Sequence, residues 1–172
     1  MDCYRKSAVE AFEKVETLVR AWLEEERITR VDVYLNGLGD VEDARCRRTA
    51  DGERRSVRID GSAGSAVNEL RGMQALPGRG AWFYSHLWME MPEGVLHQES
   101  DWMCEPDMGF DEVPLGAYKT ELDRYPRDQE FIPDWLRDKV ERWRLERGPV
   151  VARRVAHLEE EFRLEGGKYL YP

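Results

Sequence analysis

Two of the three histidines, His86 and His97, lie in "SHLWMEMPEGVLHQESDW", residues 85–102, with Glu90 and Glu99 close by. Imidazoles and carboxylates are the side chains that hold a divalent cation or move protons near neutral pH. If this stretch folds as a hairpin, His86 faces Glu99, with Glu90 and His97 alongside. That arrangement would suit a metal-dependent or acid–base enzyme. Against it, the spacing matches no closed ligand set, and a strand histidine beside a glutamate ordinarily forms a polar pair. The chain has no Walker loop, GxGxxG, HExxH or GxSxG motif. Cys104 sits beside Glu105 and Asp107, whose charges disfavour a thiolate, so it is a poor nucleophile. His157 falls on a C-terminal helix as a solvated residue.

A different chemistry is written into "ESDWMCEPDMGFDEVP", residues 99–114. Glu99, Asp101, Glu105, Asp107, Asp111 and Glu112 alternate with Trp102, Met108 and Phe110, and the stretch contains no Lys or Arg. The formal net charge of the chain is −9. Residues 90–134 hold thirteen acids and three bases, whereas the remainder is near balance, so the whole excess lies around this stretch. Like charges repel, and stability is a poor reason to gather them. Concentrated acid disfavours nucleic acid as a ligand and favours a basic partner. Trp82, Tyr84 and Trp88 stand just upstream and are of the types that anchor interfaces. They permit two readings: core residues beneath the C-terminal helices, or part of an open binding surface. The candidate partner-binding set is therefore Trp82, Tyr84, Trp88, Glu99, Asp101, Glu105, Asp107, Asp111 and Glu112.

The elements that must position these groups follow from periodicity. Phe12, Val15, Val19 and Trp22 predict a helix over 5–27. Val31, Val33 and Leu35 predict a strand ended by Asn36-Gly37. A second strand is expected at about 41–49, with a tight turn at Asp51-Gly52 and a third strand over "RRSVRID" with Val57 and Ile59 inward. Arg45, Arg47, Arg48, Arg54, Arg55 and Arg58 could contact phosphates, but without interleaved aromatics for base stacking they read better as a charged edge hairpin that resists strand addition. A helix is expected over 65–76 through Val67, Leu70 and Met73. A two-residue turn at Pro92-Glu93 gives the next hairpin a register in which paired residue numbers sum to 185. Phe83, Leu87, Met89, Leu96 and Trp102 then face the core. Trp82, Tyr84, His86, Trp88 and Glu90 face outward beside His97, Glu99 and Asp101. "LGAYKTELDRYP" reads as a helix. Pro133 opens another through Leu136, Val140 and Trp143, and a last helix runs over 149–164.

The reading is a single α+β domain over 1–172: an N-terminal helix, an antiparallel sheet of about five strands, then C-terminal helices. Cys3, Cys46 and Cys104 are odd in number and form no CxxC pair, which suits a reducing cytoplasm. No apolar run approaches the roughly 20 residues of a membrane span, and the charged N-terminus does not read as a signal peptide.

"YKTELDRYPRDQEFIPDWL", residues 118–136, with the Trp-bearing hairpin "GAWFYSHLWMEMPEGVLHQESDW" before it, resembles the YezG-like immunity proteins of bacterial polymorphic toxin systems. The resemblance covers about 80–137. "WMCEPDMGFDEVP" departs from the family's simpler acid–aromatic–acid run. The resemblance implies a non-enzymatic intracellular protein, without cofactor, that binds and neutralises a toxin domain, often a nuclease. A toxin acting on nucleic acid presents a basic cleft, which an acidic, aromatic surface would fill. A general protein-interaction module without a toxin is the remaining class.

Overall fold

The computed structural model describes residues 2–59, 61–109 and 112–147, with side chains from residue 7 onward. Helix α1 (Asp2–Glu25) leads into strands β1 (Arg30–Leu38), β2 (Val41–Ala50) and β3 (Glu53–Val57). Helix α2 (Gly61–Met73) precedes β4 (Tyr84–Glu90) and β5 (Leu96–Asp101). Helix α3 (Leu115–Arg124), a short 3-10 turn (Gln129–Phe131) and a helix from 134 to at least 147 complete the described chain. The five strands form one antiparallel sheet in the order β3-β2-β1-β4-β5. The α+β arrangement expected from the sequence is the one observed. The helix expected over 149–164, together with His157, lies outside the described residues.

The sheet has a core on each face. On the first face, α1 and α2 bring Val15, Val19, Leu23, Val67 and Leu70 against Val31, Val33, Leu35, Leu87 and Met89. On the second, Leu38 and Phe83 at one end of the sheet are covered by Met108, Ala117, Tyr118, Leu136 and Val140. Met73, assigned by periodicity to the α2 stripe, is exposed at the end of that helix.

The Asn36-Gly37 pair is not a turn. The strand runs on to Leu38, and the reversal falls at Gly39-Asp40, with Gly39 at φ +64°. Glycine at the first central position suits a two-residue type II′ hairpin. Gly37 has a different reason to be small: a Cβ there would lie 2.5 Å from Nε of Arg71. The turn at Asp51-Gly52 is as expected, with both residues at positive φ.

In the β4–β5 hairpin the register is the expected one: Tyr84 pairs with Asp101, His86 with Glu99 and Trp88 with His97. The loop is longer than the two residues anticipated. The strands stop at Glu90 and Leu96, and the Gly94 N–H closes the turn on the Glu90 carbonyl at 2.9 Å. The alternation also breaks before β4. Tyr84 pairs with Asp101, and the Phe83 N–H also donates to the Asp101 carbonyl at 2.8 Å. Two residues set against one is a β-bulge, which shifts the side-chain phase by one residue. Phe83 therefore joins the second-face core, and Trp82 turns inward among Val67, Leu70 and Leu87.

The "ELDRYPRD" segment is a buried electrostatic lock. Glu121 is fully buried. It accepts hydrogen bonds from Arg71 at 2.7 Å and from the Gly39 N–H at 2.7 Å, and its other oxygen lies 3.6 Å from Arg127. Arg71 also donates to the Trp82 carbonyl at 2.8 Å and stacks over Tyr125. Arg127 donates to the carbonyls of Ala81 and Trp102 and lies over Phe83. Burial pushes the Arg127 guanidinium down, while Glu121 pulls it back up. These residues tie α2, the approach to β4, the exit of β5 and α3 to one point. Trp135, half-buried, donates from Nε1 to the Met103 carbonyl at 2.7 Å and meets Phe83 edge-on, pinning the acidic segment to the body.

Candidate functional site

The second face of the sheet beyond the Leu38–Phe83 core carries a row of stacked rings. Tyr34 on β1 stacks on His86 at 4.6 Å between centroids, His86 on Trp88 at 4.8 Å, and Trp88 on His97 at 5.2 Å. The strand pairing dictates this, since Tyr34 is opposite His86 and Trp88 opposite His97. All four rings are half-buried, and none belongs to either core cluster. Their faces are occupied by one another; the Tyr34 hydroxyl lies 3.5 Å from Arg54 and His86 Nε2 is turned to Asp32, so among the described residues the Trp88 and His97 edges are the ones without a side-chain hydrogen bond. Nucleobases stack on open ring faces; Arg47 lies over Tyr34 at 6.0 Å from the ring centroid, so among the described residues only the His97 end of the row has an uncovered outer face.

Asp32, only 3% exposed, lies beneath the row. Arg30 grips it through both guanidinium ends at 3.1 and 2.9 Å, and Nε2 of His86 is 3.1 Å from it. Burial raises the Asp32 carboxyl, but the hydrogen bonds from Arg30 and His86 and the charges of Arg30 and Arg54 outweigh it, holding Asp32 below the usual carboxylate range. His86 is thus committed to Asp32, and Glu90 to Arg30 at 3.2 Å. The grouping of His86, His97, Glu90 and Glu99 does not come together as one centre. Among the described residues no cluster of three or more His, Cys, Asp or Glu is placed to hold a metal ion.

The predicted partner-binding residues divide. Tyr84 and Trp88 lie on the second face, half-buried. Trp82 does not: it is 2% exposed in the first-face core, and its Nε1 donates to Gln74 at 2.8 Å. The bulge at Phe83 is what removes it from the surface. Glu99, Asp101, Glu105, Asp107 and Glu112 are exposed; Asp111 and Phe110 lie outside the described residues. The acids are less isolated than the sequence suggested. Asp107 is 3.4 Å from Arg45 on β2, and Glu105 is 3.6 Å from Lys139 on the helix beginning at 134. Asp101 accepts from the N–H groups of Met103 and Cys104, fixing the turn out of β5. The Gly109 N–H and Arg45 hold the Asp107 carboxyl below its usual range.

Sequence reasoning missed Tyr34, Asp32 and Arg30 as companions of the hairpin face. Their shared parity on β1 was visible, but the β1–β4 pairing that sets them beside His86 was not. The arginine-rich hairpin is, as expected, at a sheet edge, with β3 outermost. Its charges are met by Asp43, Glu26, Asp32 and Glu53.

Burial raises the Cys46 thiol to about 12, with the Asp32 charge adding to it, and burial followed by the Asp101 charge raises Cys104 to about 11. Both should stay protonated up to their raised values. At about pH 8, alkylation by iodoacetamide should be ~100-fold or more slower than at an ordinary cysteine. Site-resolved mass spectrometry checks this, and rapid labelling of Cys104 would contradict it.

No protein-family model matches the chain, and no curated protein matches it. Among the described residues no helix is long and apolar enough to cross a membrane.

Proposed function

We propose that this protein is an immunity protein that binds and neutralises a basic toxin domain, of the nuclease class, through the second face of the sheet and the acidic segment beside it. One observation carries this reading: the exposed carboxylates of Glu99 and Asp101 stand opposite His86 and Tyr84 beside a row of half-buried rings that belong to neither core, and the exposed Glu105, Asp107 and Glu112 follow in the next segment of chain. The exposed carboxylates suit a protein surface rich in Lys and Arg, and the half-buried rings beside them add apolar contact area. The resemblance of residues 80–137 to YezG-like proteins points the same way. In this reading the protein needs no cofactor and does no chemistry on its partner.

The reading requires a toxin domain encoded beside this gene, and binding to that domain tests it. Reversing Glu105, Asp107 and Glu112 to Lys should slow association about tenfold or more and flatten its salt dependence, because outlying charges act on encounter. Stopped-flow kinetics at low and high salt measure this. Unchanged association, with wild-type binding indifferent to salt, would remove the electrostatic basis. Absence of any complex would remove the immunity reading itself.

A further inference from the structure

β5 is the last strand of the sheet, so one of its sides has no neighbouring strand. Three contacts show which way its backbone groups point. The Phe83 N–H donates to the Asp101 carbonyl, and the Ser85 hydroxyl to the Glu99 carbonyl at 3.3 Å, so Glu99 and Asp101 address β4. The Leu96 N–H points the other way and donates to the Glu16 carboxylate of α1 at 3.1 Å. Alternation along the strand then turns the N–H and C=O groups of Gln98 and Ser100 to the outer edge. Among the described residues those four groups have no hydrogen-bond partner.

Among the described residues the edge is closed at its start and open further along. Glu16 caps Leu96, and Arg20, itself held by Glu16 at 2.6 Å, donates to the Gly94 carbonyl at 2.7 Å. The far end is fixed by the Asp101 turn onto Met103 and Cys104. Between them, Glu99 and Asp101 project on the second face, exposed, and neither is in an ion pair among the described residues. Antiparallel self-pairing of two such edges would set acids against acids, which is unfavourable. A strand with basic side chains at the matching positions meets the opposite situation.

We propose that the β5 edge accepts a β-strand from the partner, paired through the backbone of Gln98 and Ser100, with Lys or Arg at alternate positions facing Glu99 and Asp101. This rests on the reading above that the partner is a basic protein. Strand addition supplies affinity through main-chain hydrogen bonds, and the alternating charges supply register. The open stretch suits a strand of about five residues.

Backbone amide exchange in the full, 15N-labelled chain tests this with two probes. One is the toxin domain encoded beside the gene. The other is the peptide acetyl-Lys-Val-Lys-Val-Lys-amide, with acetyl-Glu-Val-Glu-Val-Glu-amide as its control. Exchange at Gln98 and Ser100 should slow at least tenfold with the toxin domain and with the lysine peptide, and stay unchanged with the glutamate peptide. Ser100→Pro, which removes an outward N–H that the sheet does not use, should weaken both complexes at least tenfold. If that variant does not fold, the wild-type exchange data still decide. A toxin domain that binds while both amides exchange at their original rates overturns strand addition and leaves the immunity reading standing. Protection by the lysine peptide without any toxin complex supports the edge and overturns the immunity reading. No protection by either probe overturns the inference.

Discussion

Glu121→Ala should destabilise the protein by about 3–5 kcal/mol, the range seen when one partner of a buried ion pair is removed. Glu121 and the two guanidiniums it serves, Arg71 and Arg127, are all buried. Without the carboxylate, two cations remain in the interior, and the Gly39 N–H loses its acceptor at the β1–β2 turn. The full stability of a domain this size is of the order of 5–15 kcal/mol, so the variant would sit near the edge of folding. Glu121→Gln keeps an acceptor for Gly39 and Arg71 while losing the charge, and should fall between wild type and Ala. Urea unfolding monitored by tryptophan fluorescence measures both. A loss under about 1 kcal/mol for Glu121→Ala would mean that the lock holds nothing together.

That lock marks the boundary of what one sequence discloses. "ELDRYPRD" could be recognised as part of a motif, but not the contacts its charges make. Glu121 lies six residues from Arg127, but the residue that completes the triad, Arg71, lies 50 residues from Glu121 on another helix. Nothing local announces such a contact. The same holds for the acids. Asp107 finds Arg45 and Glu105 finds Lys139 only because the fold folds the segment back between β2 and a C-terminal helix.

Where a strand kept strict two-residue alternation, the sequence was enough. The parity of Leu87, Met89 and Leu96 set the register of the β4–β5 hairpin, and the observed pairs obey it. Parity fails where the backbone departs from two-residue repetition, as at the bulge of Phe83 and Tyr84 against Asp101. It also fails where a glycine serves packing and not a turn, as Gly37 does beneath Arg71. The candidate surface was legible as a composition, acids beside aromatics. Its geometry depends on β1 pairing with β4, a contact between segments some fifty residues apart.

Trp82 and Trp88 should therefore part company when each is replaced by alanine. Trp82 is 2% exposed, packs with Val67, Leu70 and Leu87, and donates its indole N–H to Gln74. Trp82→Ala leaves a large cavity and should cost about 3–5 kcal/mol in unfolding experiments. Partner binding, measured where the variant remains folded, should change little, because no part of Trp82 reaches the second face. Trp88 sits half-buried between His86 and His97. Its replacement forfeits two ring contacts, each worth about 0.5–1.5 kcal/mol, and a smaller share of burial than Trp82. Its larger effect belongs in the complex, as faster dissociation at unchanged association, the signature of an anchor in place of a steering charge. Denaturation and binding kinetics on the two variants separate the roles. If Trp82→Ala weakened binding at full stability while Trp88→Ala left dissociation untouched, the partner surface would have to be moved to the opposite face of the sheet.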